Sequence, residues 1–293
     1  MGRAGLTLGC VLCALVAGCG SSGRERSEPA RARVDHFDSA RAWRLVREQL
    51  AYGQRPAGSA RLRRLAVRLR PLLPGGRFEA LPHERGLRNV VGTLPGRRPG
   101  IVVGAHYDTL ADPPGFVGAN NGAAGSAVVI EVARALSRMK RPPGAREVRF
   151  VLFDGEEPAQ GLPEASTDFY DSGLRGSRAY VAANPHRTSA MLLLDYVGNK
   201  GVRLPREGTS TPALWSRVRA AAEAVGASSV FPPTTGPALT DDHSPFLRAG
   251  VPAVDLIDWS YSGHDVSDRL DKLSPRSLDA VGETVTAAVQ RLR

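Results

Sequence analysis

Residues Ile101–Asp108 read IVVGAHYD. The first part is apolar without alternation, which is the pattern of a strand covered on both faces. It then breaks off into His106, Tyr107 and Asp108. The same change of character recurs along the chain. VRFVLF runs into Asp154-Gly155-Glu156-Glu157, and SAMLLL runs into Asp195. VPAVDLID is followed, after a short loop, by His264 and Asp265. RNVVGTL is one more strand. Between the strands lie segments of helical spacing: SARAWRLVREQLAYG, ARLRRLAVRLRPLL, GAAGSAVVIEVARALSRM, PALWSRVRAAAEAVG and SPRSLDAVGETVTAAVQRLR. Ser39 is expected to cap the first and Gly53 to stop it. Strands and helices in alternation predict an α/β fold with a sheet between helix layers. In such sheets ligands bind at the carboxyl ends of the strands. Two histidines and several carboxylates are therefore expected on one rim.

The chain has 293 residues, 42% of them hydrophobic, enough for one large domain, which we place at 35–293. The net charge of +10 comes with no basic–aromatic interleaving, zinc-finger spacing or phosphate loop, so no nucleic-acid partner is expected. The Arg face of ARLRRLAVRLRPLL reads as solvated or, alternatively, as facing anionic lipid headgroups.

At the N-terminus a basic start precedes an apolar run from Leu6 to Ala17, too short to span a bilayer. Val16-Ala17-Gly18-Cys19 resembles a bacterial lipobox. The resemblance implies a signal peptide over 1–18, lipidation of Cys19, and an exported, membrane-anchored lipoprotein. Residues 19–34 read as a flexible tether. Cys10, Cys13 and Cys19 all lie in this leader. The mature body thus offers no thiol beyond Cys19, and any metal there is held by His, Asp or Glu.

The order HYD, GANNGAAG entering a helix, FDGEE, GSRAYV, LLLDYVG, DDHSPF and a late His resembles the family 28 metallopeptidases. These are zinc aminopeptidases and include the glutaminyl cyclases. The likeness starts at GQRPAGS and covers nearly the whole mature chain. It implies a three-layer zinc-exopeptidase-like fold with a mixed, mostly parallel sheet flanked by helices. It also implies one or two zinc ions and a peptide substrate with a free N-terminus. By position, His106 and Asp195 bind one zinc, and Glu157 and His264 the other. Glu156 is the implied general base, and Asp108 orients His106. The division of labour between Glu156 and Glu157 requires a loop that turns both inward.

GANNGAAG departs from the pattern. Where the family places a zinc-binding aspartate, bridging in the aminopeptidases, this chain has Asn121. An amide oxygen coordinates but carries no charge, so weakened or single-metal binding is expected. Asn121-Gly122 is also a sequence prone to deamidation, which would restore an acid.

Peptide hydrolysis at N-termini is the leading expectation. Glutaminyl cyclisation is the alternative. The long insertion between Glu157 and Gly176 favours it, as does the DDHSPF motif, in which Asp242 joins Glu156 and Asp195 in a carboxylate network. Gly263, where cyclases carry tryptophan before the late His, disfavours it. A binding protein on an impaired catalytic scaffold is the third reading, favoured by Asn121.

Overall fold

A computed structural model describes residues 26–159 and 169–293. The leader, Cys19 and part of the insertion after Glu157 lie outside the described residues. The apolar runs assemble into one six-stranded sheet. Its strands are β1 (Arg77–Ala80), β2 (Arg88–Leu94), β3 (Arg97–His106), β4 (Arg146–Phe153), β5 (Thr188–Asp195) and β6 (Ala253–Ile257), in the order β1-β2-β4-β3-β5-β6. β4, β3, β5 and β6 run parallel, and β1 and β2 are antiparallel additions at one edge. Register places His106 beside Phe153 and Asp195 beside Ile257. The ends that carry the polar residues are therefore level.

The described helices are α1 (Ser39–Leu50), α2 (Ala60–Leu69), α3 (Gly125–Arg138), α4 (Phe169–Ser172), α5 (Arg175–Ala183), α6 (Pro212–Val225), α7 (Ser244–Arg248) and α8 (Pro275–Leu292). Alternate residues of the central strands explain the two helix layers. Ile101, Val103, Phe150, Leu192 and Val254 point into one core with α1, α2, α3, α6 and α8. Val102, Val151, Phe153, Met191 and Leu193 point into the other with Tyr180 of α5 and Phe246 of α7. The expected three-layer α/β architecture is the one observed. β3 is followed by α3 on one face, and β4 by α5 on the other. The two connections part over neighbouring strands and open a crevice at their carboxyl ends.

Three details differ from the sequence reading. Asp38, not Ser39, caps α1, its side chain accepting from Arg41 N. Both are short polar residues at the helix start, but Asp38 has the extended backbone an N-cap needs. β1 was not expected, because RFEA is half-exposed and lacks an apolar run. From Arg26 onward the expected tether lies on the body. Arg26 pairs with Asp258 at 3.3 Å, Ala32 N donates to Asp279 at 3.2 Å, and Arg33 N donates to the Val225 carbonyl at 2.8 Å. Local composition suggested a solvated segment because those partners are distant in sequence.

Candidate metal centre

His106 is delivered by the last residue of β3 and is buried, with its ring between carboxylates. Nδ1 lies 3.5 Å from Asp108 and 3.8 Å from Glu156, and Nε2 lies 3.4 Å from Asp195. These are ion-pair contacts, and among the described residues neither ring nitrogen has a formed hydrogen bond. Burial opposes a charge on this imidazole, but Asp108 and Asp195 outweigh it and raise its pKa well above the ordinary value.

The turn after β4 is a loop, and both glutamates are buried in it. Asp108 shapes that loop from across the crevice. Its two oxygens accept the backbone N–H of Glu156 at 3.3 Å and of Glu157 at 3.2 Å. The start of α5 holds the other side, with Leu174 N on the Glu156 carbonyl at 3.0 Å and Arg175 Nη2 on the Glu157 carbonyl at 2.9 Å. Asp108 thus positions both glutamates and lies 3.5 Å from the imidazole. Burial, then the neighbouring charge of Glu157, drives the Glu156 acid well above the usual carboxylate range, against the pull of His106. A carboxyl so placed is suited to take up a proton and give it back.

Asn121 faces this site. Its Nδ2 donates to Glu157 Oε1 at 2.6 Å. The segment Ala119–Ala124 is a kink ahead of α3, and the chain reverses at Gly122, whose φ of 104° favours glycine. A side chain at Gly122 would also meet the Asp108 carbonyl at 2.5 Å, and one at Gly125 the Leu194 carbonyl at 2.3 Å. The glycines of GANNGAAG let α3 approach β3 and β5 closely. The kink is held by Asp268, whose carboxylate accepts Asn120 N, Asn121 N at 2.9 Å and Tyr261 OH at 2.7 Å. Arg55, fully buried, closes the preceding loop through the carbonyls of Val117 at 2.7 Å and Gly118 at 3.3 Å.

Asp195 ends β5 and receives Tyr196 N at 2.9 Å. Tyr196 has φ of 45°, in the left-handed region and uncommon for a bulky residue. Its ring meets those of His264 at 5.2 Å and Tyr261 at 5.7 Å. Asn121, Glu156, Glu157, Asp195 and His264 line one cavity of about 240 Å³, closed by Phe169, Leu239, Ile257 and Trp259. The donor atoms of His106, Glu156 and Glu157 lie within 4.8 Å of one another. His264 shares the cavity without joining that three-residue cluster.

The structure places Asp241 on the cavity wall, whereas Asp242, the residue singled out from sequence, is fully buried behind it. Adjacent acids in a turn do not reveal from sequence which one faces inward. Burial and the charge of Asp195 push Asp241 to about 6. Trp259, Asp241 and Asp268 were not anticipated. Trp259 was overlooked because the expected position for a tryptophan is the one occupied by Gly263.

The described buried arginines are Arg55 and Arg149, and Arg149 is engaged by Glu147 at 2.7 Å. The acids of the cavity therefore outnumber the fixed cations near them. A buried imidazole ringed by carboxylates fits a divalent cation. The 3.4 Å between His106 Nε2 and Asp195 Oδ1 is also the edge of a tetrahedron with bonds of about 2.1 Å.

Residues 89–289 match the profile of Peptidase family M28. The chain belongs to that family. Aminopeptidase YwaD of Bacillus subtilis (strain 168) is 31% identical over 212 residues, covering 66% of this chain and 41% of its own. Glutaminyl-peptide cyclotransferase of Bos taurus is 26% identical over 241 residues, covering 70% of this chain and 66% of its own. The chain spans less than two-thirds of the length of these curated relatives. The structure of Porphyromonas gingivalis glutaminyl cyclase superposes with a TM-score of 0.75 at 30% identity, covering 89% of this chain and 100% of that one. This M28 member thus resembles both a peptidase and cyclases of its family.

Proposed function

We propose that the chain is a zinc-dependent exopeptidase of the aminopeptidase type, acting on peptides with a free N-terminus. The observation that carries this reading is the buried pair His106 Nε2 and Asp195 Oδ1, 3.4 Å apart, with no hydrogen bond formed to the imidazole among the described residues. Glu157 and His264 on the same cavity extend the ligand set. Zinc held there supplies Lewis acidity and brings the pKa of water to about 7. Glu156 takes the proton of the attacking water and returns it to the leaving amine. Asp241 faces the substrate's ammonium group, and Phe169, Leu239, Ile257 and Trp259 receive its first side chain. Asn121 lowers the charge of the ligand set, so one ion is bound more tightly than two. The same proposal places the chain outside the cytoplasm, anchored through acyl groups on Cys19.

Glutaminyl cyclisation is the second reading, favoured by the likeness to the P. gingivalis enzyme and by the acids Glu156, Asp195 and Asp241 around one cavity. Products separate the two. A peptidase releases a free amino acid, and a cyclase releases ammonia and leaves a pyroglutamyl end. Neither product from zinc-loaded protein would leave a binding role. The assignment of Glu156 is tested with Glu156→Gln, for which turnover falls by about 10²–10⁴ while metal content stays the same. Retained turnover removes Glu156 as the base, and lost metal makes it a ligand instead.

A further inference from the structure

Behind the cavity wall lies a second convergence of donors, of which the reading above uses only Asp241, the residue it turns toward substrate. Asp241 and His243 precede α7, and Asp255 lies in the middle of β6. One ligand atom from each falls within 4.8 Å of the others. His243 Nε2 meets Thr209 Oγ1 at 2.8 Å and Glu207 Oε2 at 3.2 Å. The Glu207 carboxylate accepts the backbone N–H groups of Thr209, Ser210 and Leu239, each at 2.8 Å. Glu207 is therefore an ionised acceptor, which assigns the imidazole proton to Nε2. Nδ1 is left with a lone pair, 3.9 Å from Asp255 Oδ2. His243 and Asp255 are fully buried. Among the described residues nothing donates a hydrogen bond to His243 Nδ1, Asp241 Oδ2 or either Asp255 oxygen.

Bare lone pairs facing one another away from water repel, and positive charge must enter between them. A proton shared by Asp241 and Asp255 would satisfy one pair and leave the imidazole nitrogen empty. A metal ion takes all three. The carboxylate behind the imidazole is also the outer partner that metal-binding histidines usually have. We propose that Asp241, His243 and Asp255 form a second divalent-cation site, suited by its mixed nitrogen and oxygen donors to a zinc-class ion. It shares no ligand with the centre around His106 and does not depend on the peptidase reading.

The test uses the exported chain carrying His106→Ala and His264→Ala, which removes the imidazoles of the main centre. The protein is stripped with chelator, loaded with zinc, desalted and analysed by mass spectrometry for metal. About one zinc per chain is expected to remain, and Asp255→Asn in the same background is expected to abolish it. Zinc absorption spectroscopy on the parent should show an imidazole nitrogen and carboxylate oxygens at about 2.0–2.2 Å, a readout that survives even if Asp255→Asn fails to fold. A parent chain without retained zinc, or with zinc lacking an imidazole shell, overturns the proposal and leaves a shared proton as the occupant. Retention unaffected by Asp255→Asn in a folded chain overturns it as well. None of these measurements requires catalysis, so an inactive enzyme does not count against the site.

Discussion

Replacing Asn121 by aspartate puts a carboxylate where the amide now donates to Glu157 at 2.6 Å. Two full charges at that separation repel by about 6 kcal/mol at an effective dielectric of about 20. Protonating one acid at pH 7 costs less, about 4 kcal/mol from a reference pKa of about 4.3, so a proton enters and caps the loss. At about 2–4 °C per kcal/mol for a chain of this class, the metal-free Asn121→Asp protein should melt roughly 8–15 °C lower. The protonated pair has its folded pKa raised. Its contribution is thus intact below the unfolded pKa and is lost as pH rises, and the deficit should shrink to about 1 kcal/mol at pH 5. Zinc should reverse the order, because the new charge strengthens the ligand set. The assay is calorimetry of chelated and zinc-loaded proteins at pH 5 and 7, with zinc counted per chain. Equal melting of the two metal-free proteins, together with equal zinc content, would show that Asn121 neither faces Glu157 nor belongs to the metal centre.

Trp259 is 48% exposed, closes the cavity and meets His264 edge-on at 5.8 Å. Trp259→Ala should raise KM about tenfold with kcat and melting temperature nearly unchanged, and an unaltered KM removes it from substrate binding. Asp154 is pushed to about 7, by burial and then by the charge of Asp108. Because this folded pKa is raised, its contribution is present at low pH and is lost as pH climbs through 7, by about 2–3 kcal/mol between pH 5 and 8. Asp154→Asn should therefore flatten the metal-free protein's urea midpoint across that window, and an unchanged slope refutes the assignment. Cys19→Ser should release the chain from membranes on fractionation, and continued retention points to a different anchor.

The sheet was legible because β3, β4, β5 and β6 are buried on both faces and leave unbroken apolar runs. The candidate residues were legible where those runs stop, since His106 and Asp195 are strand ends and Glu156 and Glu157 come in the turn after Phe153 ends β4. What escaped depends on contacts made at a distance. Asp268 reads as a loop acid until its carboxylate is seen on Asn120 N and Asn121 N. Arg55 reads as one more surface arginine, yet it is fully buried under the loop that leads to Asn121. Nothing in DDHSPF distinguishes Asp241 from Asp242, because the turn ahead of α7 decides which of two adjacent acids lines the cavity.

On the proposed reading, Asn121 changes how this centre is held together. A carboxylate at that place needs a cation or a proton to coexist with Glu157. The amide satisfies Glu157 by itself, and Asp268 fixes the backbone beneath it, so the metal-free pocket keeps its shape. Ligation through Glu157 Oε1 then competes with a charge-assisted hydrogen bond. Such a bond is worth about 1.5–3 kcal/mol, which lowers ion affinity by roughly ten- to a hundredfold. His106 and Asp195 face each other directly, and although Asp195 Oδ1 accepts Tyr196 N at 2.9 Å, no side-chain amide stands between them. Occupancy should begin on their side of the cavity and reach the Glu157–His264 side only at higher free zinc. A zinc titration of the wild-type chain should therefore be biphasic, with Asn121→Asp merging the two phases. A single phase in the wild type, with no change on substitution, would mean that the amide–carboxylate bond does not oppose the ion.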